Sequence, residues 1–322
     1  MRKIAALILT NLLMLTGFSQ EKINLYSDGQ IPFAKEGTEV PTITVFRPSK
    51  NTAKGTAVVV CSGGGYGGRA NTVEGIPACK KLNEAGITAF LVDYRVPNDK
   101  KMDHKEWVPL TDAQRAIQYV RENAKLYKVD GSRIGIMGFS AGGHLVSTVG
   151  TQFTETKLQN PKGTSLRPDF MILVYPVISF ADSLAHLGSR KNLVGPDITA
   201  EKIRKYSNEL NVTEQTPPTY ITSGMDDKVV DVKNCLYFSA ALKQKNVPVE
   251  LFLYEKGKHG YGVFNKEAQL QWIDDCISWI KKNLISNNDN LHLYFHGIVH
   301  ILIHPVIVVS FIGAAVILFT RV

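Results

Sequence analysis

Residues 133–149 constrain the fold of this chain more than any other stretch. A short apolar run, Ile134 to Met137, enters a tight turn written Gly138-Phe139-Ser140-Ala141-Gly142, and a helix-like segment follows from His144 to Val149. Strand, turn and helix in that order give the G-x-S-x-G pattern the context of a nucleophile elbow. A serine on so sharp a turn has a strained backbone, so its neighbours must be small. Gly138 and Gly142 let strand and helix pack closely around it. The hydroxyl then projects above the sheet, and free N–H groups at the helix N-terminus beneath it favour developing negative charge. Glycine and serine are common enough that the pentapeptide alone could arise by chance, so the rest of the chain has to carry the reading.

It does so by alternation. Strand patterns run from Pro41 to Arg47, Thr56 to Cys61, Ile87 to Val92, Phe170 to Tyr175, Thr219 to Thr222 and Val249 to Tyr254. Helical patterns run from Val73 to Ala85, with Gly86 as a stop, from Leu110 to Tyr127, Val232 to Lys243 and Lys266 to Leu284. Continuous apolar strands such as Thr56 to Cys61 belong inside a sheet buried on both faces. The expectation is an α/β fold, a mostly parallel sheet flanked by helices, over residues 20–285. The 322 residues allow one large domain or two small ones, and 44% hydrophobic against 20% charged residues suit a sizeable core. The net charge of +8 is spread without a basic cluster interleaved with aromatics, so nucleic acid is not an expected partner. Residues 179–212 lie between two strands, and connections there pass over the carboxyl edge where ligands bind, so the segment reads as a small lid or pocket wall.

Both ends differ from this pattern. Arg2 and Lys3, the apolar run Ile4 to Leu15 and the small residues around Gly17 and Ser19 read as a secretory signal over 1–19, so the expectation is an exported protein. Residues 286–296 read as a linker. Residues 297–319 are almost wholly apolar and long enough to span a bilayer, with Arg321 after them. They read as a candidate transmembrane helix anchoring the exported domain to the inner membrane, against the alternative of a tail foreign to the fold. His292, His296, His300 and His304 recur every fourth residue, a spacing that on a helix makes one stripe and whose pairs can hold a metal; a weakly polar helix face explains them more simply. Cys61, Cys79, Cys235 and Cys276 have neither the number nor the spacing of a disulfide scaffold or zinc site, and read as buried thiols.

A serine at its free pKa is a weak nucleophile; it needs a base, and the base needs an orienting acid. In this architecture both follow the serine, on loops after late strands. His259 lies in a glycine-rich loop after the Val249 to Tyr254 strand. Asp226 and Asp227 both follow the Thr219 to Thr222 strand and compete for the acid. Developing negative charge needs N–H donors. One is the N–H of Ala141; the other comes from the loop Gly63-Gly64-Gly65 after the Thr56 to Cys61 strand. A dinucleotide site is the competing use of such a loop, but its helix must start on the turn, and Val73 is too late. His144 points away from the hydroxyl on helical geometry and reads as structural, whereas His104 and His186 lie on connections where either could line the pocket.

These stretches, with Asp93-Tyr94-Arg95, Asp182 to Ser189 and Tyr206 to Leu210, resemble the α/β-hydrolase superfamily, and within it exported bacterial esterases similar to acetylxylan esterases. The resemblance runs from about residue 24 to residue 285. It implies Ser140 as nucleophile, Asp227 as acid, His259 as base, and Gly64, Gly65 and Ala141 as the oxyanion hole, with no metal or cofactor. Ser62 stands where many relatives carry histidine or proline, and Asp231 where many carry proline. The implied function is a serine esterase acting through an acyl-enzyme on small acyl esters, acetate above all, of xylan or related carbohydrates. The alternatives are an exopeptidase or small-amide hydrolase on the same fold and, from another class, a membrane-anchored binding module.

Overall fold

The computed structural model describes residues 21–26, 29–49, 52–284, 299–303, 307–312 and 315–320. The leader read over 1–19 and the linker 286–296 lie outside these residues. In chain order the elements are β1 (Glu21–Asn24), β2 (Thr42–Phe46), β3 (Ala57–Cys61), α1 (Ile76–Glu84), β4 (Thr88–Asp93), α2 (Val108–Glu122), α3 (Ala124–Tyr127), β5 (Ile134–Phe139), α4 (Ala141–Thr151), β6 (Phe170–Val174), α5 (Leu187–Val194), α6 (Ala200–Lys205), β7 (Thr219–Gly224), α7 (Lys233–Gln244), β8 (Val249–Tyr254) and α8 (Trp272–Leu284). They form one sheet in the order β1-β2-β4-β3-β5-β6-β7-β8. The pairs β1–β2 and β2–β4 are antiparallel, and every pair from β4 across to β8 is parallel.

Side chains on a strand alternate between faces, so each apolar strand feeds two cores. Val59, Cys61, Ile136 and Leu173 join Ala113 and Ile117 of α2, Leu145 and Val149 of α4 and Phe238 of α7 on one face. Val58, Val60, Met137 and Ile172 join Ala78 and Leu82 of α1 and Trp272, Ile273 and Ile280 of α8 on the other. Every residue of β3, β5, β6 and β7 is buried, which is why these strands read as continuous rather than alternating runs. The four cysteines are buried and free.

Helical backbone at α1 starts as a π turn, Asn71–Gly75, that runs straight into the α-helix and covers Val73, where the periodicity begins. The helix expected from Lys266 begins later, at Trp272. Ahead of α8, the Asn265 N–H donates to Gln271 Oε1 (2.8 Å), while Gln271 Nε2 donates to the carbonyls of Asn265 (3.1 Å) and Ala268 (2.8 Å). Side chains thus satisfy backbone groups that a longer helix would have used.

The apolar C-terminal stretch departs from the helix expected over 297–319. Its described residues are strands, β9 (Val299–Ile303), β10 (Ile307–Ile312) and β11 (Ala315–Thr320), and β9 runs parallel beside β8. The stretch is dense in valine and isoleucine, whose branched Cβ favours extended backbone. Among the described residues no helix is long and apolar enough to cross a membrane. Of the four histidines spaced for a helical stripe, only His300 falls among the described residues, and there on β9.

The 179–212 insertion contains α5 and α6 and is fastened at its base to α4. The His144 ring, fully buried on α4, stacks on Phe180 with centroids 4.2 Å apart. Its Nε2 donates to the Tyr206 carbonyl (2.8 Å), which leaves Nδ1 to accept from Tyr66 Oη (2.9 Å). Asn208 Nδ2 lies within hydrogen-bond reach of the His144 carbonyl and of the Ser147 and Thr148 hydroxyls. Burial pulls the His144 pKa down to about 4, and the bond to Tyr206 offsets this only in part.

Two stability predictions follow from buried polar groups. Arg95 and Asp112 are fully buried and paired through Nη2–Oδ1 (2.7 Å) and Nε–Oδ2 (2.9 Å), with Arg95 Nη1 also donating to the Pro32 carbonyl (2.7 Å). Asp112→Asn strands the guanidinium without its counter-charge, and the urea midpoint should fall by the equivalent of about 3–5 kcal/mol. His144 gives a pH dependence. The unfolded chain takes up its proton near pH 6.5, the folded form only near pH 4, so the unfolded state binds more protons between them. Stability should therefore drop as pH falls through that window, by about 3 kcal/mol in all. Denaturation midpoints from pH 7 to 4 should fall less steeply for His144→Gln; equal slopes would contradict the assignment.

Candidate active site

The elbow expected at Ser140 is present and is held at three points. Ser140 has φ 51° and ψ −119°, a conformation costly for a residue with a side chain. Its N–H donates to the Val174 carbonyl at the end of β6 (3.0 Å), and its own carbonyl accepts from Val177 (3.1 Å) and His144 (3.2 Å). A Cβ on Gly138 would lie 2.2 Å from the Gly142 carbonyl oxygen, and one on Gly142 would lie 2.3 Å from that of Cys61. Both glycines are there because neighbouring backbone occupies the space of a side chain.

His259 and Asp227 come to this serine on the loops after β8 and β7. His259 Nε2 lies 2.9 Å from Ser140 Oγ, and Nδ1 lies 2.7 Å from Asp227 Oδ2. An ionised carboxylate only accepts, so Nδ1 carries the proton and Nε2 accepts from the serine. The Asp227 side chain is completely buried, and Oδ1 accepts from the N–H groups of Val229 and Val230, both at 2.9 Å. That fixes the carboxylate without a counter-ion. Asp226, its competitor, faces the other way: Oδ1 accepts from Gly257 and Lys258, each at 2.7 Å, and so braces the loop that carries His259. Partial desolvation raises its carboxyl pKa, but the N–H groups of Lys258, Gly257 and Asp226 itself, with the Lys258 charge, together bring the net shift downward.

The glycine loop after β3 lies against the serine. A Cβ on Gly63 would meet Ser140 Cβ at 2.9 Å. Gly64 and Gly65 have φ of 125° and 63°, in the region that favours glycine. Among the described residues, the N–H groups of Gly64, Gly65 and Ala141 have no protein acceptor. Tyr66, buried two residues beyond Gly64, reaches His144, and Tyr94 Oη donates to the Ser62 carbonyl (2.8 Å), so the loop is anchored at both ends. Asp231 Oδ1 accepts from the Lys233 N–H (2.9 Å) at the start of α7.

A buried carboxylate beneath the site escapes sequence reading. Glu74 Oε2 accepts from the Gly63 N–H (2.6 Å) and Oε1 from Tyr175 Oη (3.0 Å). Tyr175 Oη in turn accepts from the Gly262 N–H (3.1 Å), and its ring meets His259 edge-on with centroids 4.8 Å apart. One carboxylate therefore ties the glycine loop to the histidine loop. Burial raises the Glu74 pKa, against the bonds from Gly63 and Tyr175. In the sequence it is one acidic residue near the start of a helix, where acids are ordinary. His186 caps α5 and stands beside Gly65, with its Cε1 3.9 Å from where a Cβ would be. His104 instead stacks on Trp107 (centroids 4.4 Å apart) and is exposed.

Sheet, elbow and late-strand loops together define an α/β-hydrolase. The chain belongs to the BD-FAE family, whose model matches residues 43–242. It is 33% identical over 288 residues to an acetylxylan esterase of Xylanibacter ruminicola, covering 85% of this chain and 54% of that protein. It is 31% identical over 252 residues to endo-1,4-beta-xylanase B of Butyrivibrio fibrisolvens, covering 77% of this chain and 39% of the relative. The chain thus spans about half or less of the length of these two. The crystal structure of an acetyl ester-xyloside bifunctional hydrolase from Caldicellulosiruptor lactoaceticus superposes with a TM-score of 0.72 at 37% identity, covering 81% of this chain and 96% of that one.

The two aspartates give opposite expectations. Asp227→Asn removes the acceptor that sets the imidazole tautomer, and labelling of Ser140 by a fluorophosphonate should slow by about 10³–10⁴-fold. Asp226→Asn keeps one acceptor oxygen for the loop N–H groups and should slow labelling by less than about tenfold. The reverse ranking would make Asp226 the acid.

Proposed function

We propose that this chain is a serine esterase that hydrolyses small acyl esters, acetate in particular, on xylan or related carbohydrates. The observation that carries the reading is the hydrogen-bonded chain Asp227–His259–Ser140, set on an elbow beside N–H groups that have no acceptor among the described residues. In this mechanism His259 Nε2 takes the Ser140 proton as Oγ attacks the ester carbonyl. The carbonyl oxygen gains a full negative charge, which the N–H groups of Ala141 and of Gly64 or Gly65 hold. Loss of one such donor typically costs ~2.7–4 kcal/mol of transition-state stabilisation. The tetrahedral species collapses; the C–O bond to the alcohol breaks, and His259 gives that oxygen its proton. Water, deprotonated by His259, then attacks the acyl-enzyme, and Ser140 leaves with the proton returned. Asp227 holds the ring in its tautomer and stabilises the imidazolium formed at each step.

The names of the xylan-active relatives support the carbohydrate portion, and fold alone would not. The basic and apolar start of the chain supports a location outside the cytoplasm, where such polymers are met.

Acetate release from acetylated xylo-oligosaccharides, with p-nitrophenyl acetate beside it, tests the reading on the full chain. The parent should release acetate from both, and Ser140→Ala should lose about 10⁴–10⁶ of the rate. Activity on the nitrophenyl ester alone would keep the esterase and remove the carbohydrate. Preference for an acylated amino-acid amide would favour the exopeptidase alternative. A folded protein that neither turns over nor labels at Ser140 would leave a binding module.

A further inference from the structure

The 186–189 turn presents a hydrogen-bond donor that the mechanism above does not use. His186 Nδ1 accepts from the Ser189 backbone N–H (3.2 Å) and lies 2.8 Å from Ser189 Oγ. A nitrogen that accepts carries no proton, so the proton of the neutral ring is on Nε2. Nε2 has no acceptor among the described residues. Burial, and then the neighbouring His259, lower the pKa of the ring, so it stays an uncharged donor at neutral pH.

The ring is held in place. It caps α5, and α5 is fastened to the glycine loop by Asn192 Nδ2 donating to the Gly65 carbonyl (2.9 Å). Arg190 ties the same helix to the Phe180 carbonyl (2.8 Å) and to Asp182 (2.6 Å). The ring edge at Cε1 faces Gly65. His186 is half-buried, and Leu187 beside it is 60% exposed, so the turn lies at the surface beside the glycine loop. The ring therefore stands beside the glycine loop and within electrostatic reach of His259 and Asp227.

We propose that His186 is a specificity-determining residue: its Nε2–H hydrogen-bonds an oxygen on the alcohol portion of the ester, next to the one that leaves. A sugar carries such an oxygen on the carbon adjacent to its acetylated hydroxyl, whereas the ring carbons flanking the phenol oxygen of p-nitrophenyl acetate bear only hydrogen. A site built to pair its donor discriminates against the substrate that leaves it unpaired. This inference rests on the esterase reading and goes beyond it by assigning the side chain that reads the alcohol.

His186→Asn tests it. Asparagine is a favoured N-cap, and its Oδ1 can take over the Ser189 N–H, but its amide is too short to reach as far as Nε2. The readout is the ratio of kcat/KM for acetylated xylobiose to that for p-nitrophenyl acetate, measured on the full chain. Loss of one neutral hydrogen bond should lower that ratio about fivefold to tenfold. His186→Phe keeps a ring without a donor and should lower the ratio as far, whatever it does to the melting temperature. Equal losses on the two substrates would make His186 an oxyanion donor or a structural cap and overturn the proposal. An unchanged ratio in both variants, or a parent that cleaves the nitrophenyl ester but no sugar acetate, would also overturn it while leaving the esterase standing. A parent without esterase activity would remove both.

Discussion

The backbone of Ser140 is the constraint on which the rest depends. Left alone, a serine at φ 51° and ψ −119° would relax. It stays because Val174, Val177 and His144 hold its N–H and carbonyl, and because Gly138 and Gly142 let β5, α4 and β3 close around it. The parallel order of β3, β5, β6, β7 and β8 then brings the loops after β3, β7 and β8 to the same sheet edge. The serine does not search for its partners; the sheet places them.

Beneath the reacting groups lies a second layer of polar contacts. Glu74 and Tyr175 connect Gly63 with Gly262, and Asp226 connects the loop after β7 to the one after β8. These bonds tie the loops to one another, beyond the contacts that fasten each to the rest of the fold. An isolated buried carboxylate is costly, and Glu74 is tolerated because both of its oxygens accept. Asp227 solves the same problem with the N–H groups of Val229 and Val230, leaving its second oxygen to orient His259.

The central strands and the elbow were legible because each is fixed by local pattern: apolar runs for β3, β5 and β6, and small residues around Ser140. His259 was legible from its place after the last strand of the pattern. Between Asp226 and Asp227 the resemblance alone pointed to Asp227, because adjacent residues share most local signals and differ in direction; in the fold it is Asp227 that lies against His259, while Asp226 turns to the Gly257 and Lys258 N–H groups. Glu74 and the Nε2 of His186 were hidden for a related reason. Their partners, Tyr175 and the Gly65 loop, are distant in sequence, and no periodicity reports a contact made through the fold. The apolar C-terminal stretch misled in the opposite sense, since hydropathy measures length and oiliness but does not distinguish a helix from successive valine- and isoleucine-rich strands.

The bond from Asn192 to the Gly65 carbonyl joins two parts that are easily thought of separately. The insertion carries His186, proposed to read the alcohol, whereas the glycine loop carries N–H groups proposed to hold the oxyanion. Because this contact joins them, a change in the insertion that displaces Asn192 also takes a bond from the glycine loop, so selectivity and turnover are expected to change together. Lineages diverging toward new esters would be expected to vary α5 and the glycine loop together, and grafting the insertion alone between relatives would carry over only half of a matched pair.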